Sequence, residues 1–353
     1  MSYTKQTVVV ACDVGPDIGI GHLMRCIALA EALRSRGARV VFAADAERVP
    51  LAAEQLQRRG FESAPSLTDQ SSVQATLRNL DTDLVVIDSY LLPTSTYSSV
   101  RSAGYPVIAI VDYEIGDREA DLYLDQNIGA ENDCPAIATG ARRLAGLRYV
   151  LLRDEITGAR PAGPRREVNA ERPTVFGYFG GTDPTRVAPA AARALVATGA
   201  PFDATLVGAS ADLRSEIAAI RPRDDQHLEA IPPTTHIAEY VTAADAVISA
   251  AGTSAWELLC LGAASGLVCV ADNQRAAYRR AHESNAAVGV ATANELIAHD
   301  EAAITRLHTL LTDTRLREQL RVRGMRLVDG EGRQRVADAA ADLLAPTTRE
   351  QVS

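Results

Sequence analysis

Six short polar segments carry the residue types that bond-making chemistry requires. The first runs from Asp13 to His22 and ends Gly19-Ile-Gly21-His22. It joins a strand-like run to a helical one, so His22 arrives near a helix N-terminus, where free backbone N–H groups favour an anion. That position also disfavours the protonated imidazole, so a neutral His22 can accept a proton. The spacing is not G-x-G-x-x-G, and no dinucleotide cofactor is inferred; the same glycines also suit plain tight packing. Gly180-Gly181-Thr182-Asp183-Pro184 is the second segment. Its glycines permit close backbone approach to a phosphate or sugar, and Thr182 or Asp183 can equally cap the next helix.

The third segment, from Ser249 through Gly252-Thr253-Ser254 to Glu257, again follows a strand and opens a helix. Gly252, Thr253 and Ser254 can present amides and hydroxyls to a diphosphate. Glu257, one turn on, can accept from ribose hydroxyls. In the fourth, Asp272-Asn273-Gln274, side-chain amides can read sugar hydroxyls by donor and acceptor geometry, or cap a helix. Asp88-Ser89-Tyr90 and Asp112-Tyr113-Glu114 end two further strand-like runs. Their carboxylates can support His22, bind a reacting sugar or simply turn the chain.

These segments need a scaffold that gathers them. Strand patterns fall at residues 7–12, 39–42, 84–88 and 106–111, with helical patterns at 22–36, 46–59 and 94–103 between them. A second series has strands at 174–178, 204–207, 246–249 and 267–270, with helices at 187–198, 211–220, 254–261 and 275–284. Residues 301–344 read as helical throughout. Strand–helix alternation predicts parallel sheets covered on both faces. Residues 158–172 hold Pro161 and Pro164 and lack apolar periodicity, so they read as a linker. The expected fold class is therefore α/β, with Rossmann-like domains at residues 1–160 and 172–353, the second ending in helices. Ligands of such sheets lie beyond the carboxyl ends of the strands, so two facing sheets would hold a ligand in an interdomain cleft.

Composition narrows the partner. The 353 residues suit two domains; 47% are hydrophobic and 23% charged, with 36 Lys and Arg against 45 Asp and Glu, a net charge of -9. That argues against nucleic acid as a partner. Five cysteines without C-x-x-C spacing and six histidines without metal-site spacing fit a reduced, cytoplasmic protein with no metal site. The N-terminus enters a strand directly, without a signal-peptide layout. No apolar run approaches the roughly 20 residues of a membrane span, so no stable membrane insertion is expected. The oligomeric state is open.

In order along the chain, these segments resemble a known family. The matching elements are Asp13, Gly19-Ile-Gly21-His22-Leu-Met-Arg25-Cys26, Ile87-Asp88-Ser89-Tyr90 and Tyr149-Val-Leu-Leu-Arg153, followed by Gly180-Gly181-Thr182-Asp183, Gly252-Thr253-Ser254 through Glu257, and Asn273-Gln274. Together they resemble the UDP-sugar hydrolase of pseudaminic acid biosynthesis and its spore-coat polysaccharide relatives. Those proteins have the glycosyltransferase-B fold and are similar to the lipid II N-acetylglucosaminyltransferase.

The resemblance implies that the C-terminal domain binds a UDP-sugar through Gly180, Gly181, Thr182, Gly252, Thr253, Ser254, Glu257, Asn273 and Gln274. It implies that His22 is the general base on the N-terminal side, with Asp13 and Asp88 also catalytic and Gly21, Tyr90 and Asp112 on the sugar and acceptor side. It further implies metal-free C1–O cleavage with inversion and no cofactor beyond the substrate. In that family an Arg usually stands at Ala11 and a His at Ser89. Both replacements are expected to strip polarity from the sugar pocket. The expected function is therefore transfer of the glycosyl group from a UDP-sugar to a small-molecule acceptor. The alternative is hydrolysis, with water as acceptor; a non-catalytic sensor is the third reading.

Overall fold

The β-branched and apolar runs become two parallel sheets in the computed structural model, which describes residues 6–15, 18, 20–67, 70–165, 171–180, 183 and 185–345. The first sheet contains β1 (Thr7–Cys12), β2 (Arg39–Ala43), β3 (Glu62–Ala64), β4 (Leu84–Asp88), β5 (Val107–Ile110), β6 (Leu122–Asp125) and β7 (Arg142–Ala145). Its spatial order is β3-β2-β1-β4-β5-β6-β7. The second contains β8 (Thr174–Tyr178), β9 (Phe202–Val207), β10 (Gln226–Ile231), β11 (Ala246–Ala250), β12 (Ser265–Cys269) and β13 (Val288–Thr292), ordered β10-β9-β8-β11-β12-β13.

Strand periodicity explains the layering of the first domain. Along β1, Val8, Val10 and Cys12 enter one buried cluster while Val9 and Ala11 enter the cluster on the opposite face. A strand buried on both faces must be apolar at every position, and all six residues of β1 are buried. The helix Gly21–Ser35 covers one face with Leu23, Cys26, Ile27, Ala30 and Leu33. Each such large side chain contributes about 1.5–3 kcal/mol on burial.

The domain boundaries differ from the sequence expectation in two places. The first domain runs to Arg153 and resumes at Glu331, and the second is Asp154–Gly330. The final helix, Gly332–Leu344, places Val336, Ala337, Ala340 and Ala341 in the same core as Leu23 and Ile27. It therefore belongs to the first domain, not to a second domain of residues 172–353. A Cβ on Gly332 would overlap the Val150 carbonyl oxygen, so only glycine allows this approach. The expected linker at 158–172 is also corrected. Arg160 donates to the Cys260 and Met325 carbonyls at 2.5 and 2.9 Å, and Arg165 pairs with Asp245 at 2.8 Å. Those arginines tie their segment into the second domain.

Among the strands, β3, β6, β7, β10 and β13 were absent from the sequence pattern, and so was the helix Gln70–Asn79. The expected helix at 46–59 begins as a 3₁₀ turn, Ala46–Arg48, before Pro50 opens the α-helix Pro50–Arg59. The expected helical run at 301–344 is three helices. Asp313, outside helical geometry, ends the first and caps the second through Leu316 N at 2.9 Å.

Candidate functional site

In each sheet the strand order reverses once, between β1 and β4 in the first and between β8 and β11 in the second. Loops leaving adjacent strands there depart to opposite faces and open a crevice. Four of the polar segments follow the strands at these two points, and the Asp112 and Asp272 segments follow the next strands, β5 and β12.

In the first domain, β4 ends on Asp88, which is fully buried. Its Oδ1 lies 2.6 Å from His22 Nδ1. Arg25, one helical turn beyond His22, donates to both Asp88 oxygens at 2.6 Å. The same guanidinium reaches both oxygens of Asp112, just beyond β5, at 2.9 and 3.0 Å. Asp112 also accepts from the Tyr90 hydroxyl, and from Asn127 Nδ2 at 2.8 Å. The Tyr90 ring returns to His22 edge-on, with centroids 4.8 Å apart. A closed circuit results: His22, Asp88, Arg25, Asp112, Tyr90 and back to His22.

The electrostatics follow from burial and charge alternation. Burial and the Asp112 and Asp88 carboxylates act oppositely on Arg25, and the carboxylates win, raising it well above its ordinary value. Burial opposes ionisation of Asp112, yet Arg25, Tyr90 and Asn127 hold it well below the usual carboxylate range. For Asp88 burial again raises, while Arg25 and His22 lower, and the net is downward. Burial alone would lower His22, but Asp88 outweighs it and the imidazole titrates above its ordinary value. This corrects the expectation that the helix N-terminus governs His22. With a carboxylate at Nδ1, that nitrogen carries the proton, and Nε2 is left as the basic atom.

Asp13, expected from the resemblance to be catalytic, holds the loop after β4. It accepts from Ser89 Oγ at 2.5 Å, Tyr90 N at 2.6 Å and Leu91 N at 3.2 Å. Ser89 Oγ in turn accepts from Leu91 N and Leu92 N at 3.0 and 2.8 Å. Asp13 and Ser89 thus fold the loop that carries Tyr90. Ala11, in β1, packs in the core with Val9 and Ile87. Ala11 and Ser89 are both buried. Gly21 is the first residue of the His22 helix.

The sequence reading gave no role to Arg25, Asp125, Asn127 or Arg143. Asn127 Nδ2 bridges Asp112 and Asp125, and Arg143 Nη2 meets Asp125 at 3.3 Å. Tyr113 beside Asp112 has φ 63°, a left-handed conformation that costs a non-glycine residue about 1–3 kcal/mol. Its amide donates to Asp125 at 3.2 Å and its hydroxyl to the Ile128 carbonyl at 3.1 Å. A signal for Arg25 existed: it stands at i+3 from His22 on one helix face.

In the second domain, Gly180 follows β8 with φ 86°. Gly181 and Thr182 lie outside the described residues. Asp183 accepts from Val187 N and Ala188 N, both at 2.9 Å, so the capping alternative falls to it. Beyond β11, Gly252 leads through Thr253 into the helix Ser254–Cys260, and Thr253 makes no side-chain capping bond. Glu257 is half-buried one turn on. Gln274 Oε1 accepts from Val270 N at 3.1 Å, while its Nε2 would lie 3.4 Å from a Cβ on Gly252. Gly252 and Gln274 are therefore brought together at the ends of adjacent strands, with Asn273 exposed beside them.

No protein-family model matches the chain. It is similar to the spore coat polysaccharide biosynthesis protein SpsG of Bacillus subtilis (strain 168), at 23% identity over 335 residues, 94% of this chain and 96% of that protein. Among solved structures it is similar to Acinetobacter baumannii MurG, with a TM-score of 0.70, 16% identity and coverage of 96% and 99%. It is also similar to CalG4, the calicheamicin glycosyltransferase, with a TM-score of 0.61, 16% identity and coverage of 96% and 98%. Two parallel-sheet α/β domains of this kind are the glycosyltransferase-B fold.

Proposed function

We propose that the chain is an inverting, metal-independent enzyme that cleaves the C1–O bond of a UDP-sugar and transfers the glycosyl group to a small-molecule acceptor. The observation that carries this reading is the His22–Asp88 pair at the strand-order reversal, with Nδ1 engaged at 2.6 Å. A carboxylate on one nitrogen makes the other a proton acceptor held in one orientation. The fold shared with MurG and CalG4 supports a glycosyl donor. The glycine and hydroxyl residues beyond β11 suit a diphosphate leaving group, whose growing negative charge amides stabilise.

In this reading the second domain's Gly252, Thr253 and Ser254 hold the diphosphate, Glu257 the ribose, and Asn273 and Gln274 the sugar. His22 takes the proton of the attacking hydroxyl as the anomeric centre gains oxocarbenium character. Asp88 and Arg25 fix its ring. Hydrolysis is the second reading, favoured by the hydrolase resemblance of the His22 motif. A panel of UDP-sugars scored for UDP release, with and without organic hydroxyl compounds, tests both. His22→Ala is expected to lower kcat by about 10²–10⁴ while leaving donor affinity within about twofold. Loss confined to donor affinity refutes the base role.

A further inference from the structure

Seven large hydrophobic side chains are exposed among the described residues, and three of them, Ile18, Tyr90 and Leu91, lie on the two loops that frame His22. Tyr90 and Leu91 are adjacent in the chain, with Leu91 N held on Asp13 at 3.2 Å, and Ile18 lies in the segment after β1, where a Cβ on Gly15 would lie 3.8 Å from its Cδ1. Tyr90 stands edge-on to the imidazole with its hydroxyl anchored on Asp112. Leu91 is 68% exposed and Tyr90 45%, so apolar surface is kept in solvent beside the one ring nitrogen that can take a proton. Exposed apolar clusters beside a polar site mark binding of an apolar group.

Charge supplies the second constraint. Around His22 stand four carboxylates, Asp13, Asp88, Asp112 and Asp125, against two guanidiniums, Arg25 and Arg143. Both guanidiniums are already engaged by those carboxylates. A carboxylate or phosphate group on an incoming molecule would meet the net negative charge of this cluster, whose two guanidiniums are already engaged.

We propose that the acceptor is a neutral hydroxyl compound with an apolar body, an alcohol or phenol whose ring or alkyl face lies on Tyr90, Leu91 and Ile18. The proposal rests on the transferase reading above and names its acceptor class. The acceptor O–H proton passes to His22 Nε2. The oxygen's electron pair forms the new bond to the anomeric carbon as the C1–O bond to the diphosphate breaks, and its electrons leave with UDP. Water needs no apolar wall, so hydrolysis gives these three side chains no role.

The test uses the full chain with UDP-glucose and UDP-N-acetylglucosamine as donors and 2-naphthol, menthol, 6-hydroxy-2-naphthoic acid and glycerol as probes. UDP release and conjugate mass are read out, and UDP binding is measured separately by calorimetry. The expected result is conjugate formation with 2-naphthol or menthol. The carboxylate analogue and glycerol should show kcat/KM at least about tenfold lower. Leu91→Ser should raise the acceptor KM about tenfold with kcat and donor KM little changed; a change confined to folding would instead lower all three together. UDP release that ignores the neutral probes, or that prefers glycerol or the carboxylate, overturns the proposal and leaves the nucleotide-sugar reading standing. Absence of both UDP binding and UDP release overturns that reading, and the proposal with it.

Discussion

Replacing Asp88 with Asn isolates the interaction on which the mechanism depends. The amide matches the carboxylate in shape but removes one negative charge from a cluster in which Asp88 and Asp112 share Arg25. Arg25 keeps its two bonds to Asp112 at 2.9 and 3.0 Å. The fold should therefore lose about 1–3 kcal/mol rather than the roughly 3–5 kcal/mol expected when a buried charge is stranded.

For His22 the change is larger. Burial and Arg25 both oppose its charged form, and Asp88 is the main group that overcomes them. Without that carboxylate the imidazole should titrate below its ordinary value instead of above it. The amide also fails to dictate which ring nitrogen carries the proton, so kcat should fall by about 10²–10⁴, or about 2.7–5.4 kcal/mol of transition-state stabilisation. Proton NMR of the imidazole, assigned by comparison with His22→Ala, reads the titration without any substrate. UDP release across pH reads the kinetics: the acidic limb of kcat should move to lower pH. The linked stability has a definite sign. His22, raised on folding, stabilises the native state below its unfolded value and loses this as pH rises through its folded value. Asp88, depressed on folding, stabilises above the ordinary carboxylate value and loses this as pH falls through its folded value. Asp88→Asn should abolish the Asp88 slope and reverse the sign of the His22 slope, since an imidazole lowered on folding loses stability as pH falls. An imidazole titration that stays where it was, or an unchanged kcat, refutes the coupling.

Three further outcomes follow from the same contacts. Arg25→Met leaves Asp88 and Asp112 facing each other in the interior and should cost about 3–5 kcal/mol in urea unfolding. Asp13→Ala removes the acceptor for Ser89 Oγ, Tyr90 N and Leu91 N; about 1–3 kcal/mol of stability should go, and the acceptor KM should rise more than the donor KM. Gly332→Ala forces a Cβ into the Val150 backbone and should lower thermal stability by about 1–3 kcal/mol with catalytic parameters retained in the folded fraction.

The fold was readable wherever a strand is buried on both faces. β1 and β4 match the sequence ranges because each centres on a run of β-branched residues, and β8 matches through its Val-Phe and Tyr positions. Edge strands resist that reading. β3 is Glu62–Ala64, with two of its three residues exposed, and β10 alternates with charged positions on a half-covered face. The last helix was assigned to the wrong domain because its small apolar face, Ala337 through Ala341, suits any core; the Gly332 approach to Val150 and the Arg36–Asp338 and Arg333–Glu31 pairs specify which. In the site, His22, Asp88, Tyr90 and Asp112 were named from strand ends and a glycine turn. Arg25 was quoted within the family motif but given no role of its own. Its burial is paid for by two carboxylates more than sixty residues away in sequence, a pairing no local pattern encodes.

Both sheets place the candidate loops where strand order reverses, yet they fill those places with different chemistry, and the proposed roles require the difference. A general base must hold a set orientation and a proton affinity suited to its task. That takes charges in a low-dielectric interior, so the loops after β1, β4 and β5 converge as Asp88, Arg25 and Asp112 around His22. A charged wall of that kind would repel a diphosphate. Binding a diphosphate without a dense charge cluster requires close backbone approach and hydroxyls. The loop after β11 offers these at Gly252, Thr253 and Ser254, with Gln274 Nε2 within van der Waals reach of Gly252. Exchanging the two sets between domains would serve neither task. The first loops carry too much negative charge for a leaving diphosphate, and the second lack the buried carboxylate that makes an imidazole a base. The division of labour proposed for the two domains therefore follows from what each set of side chains can tolerate electrostatically.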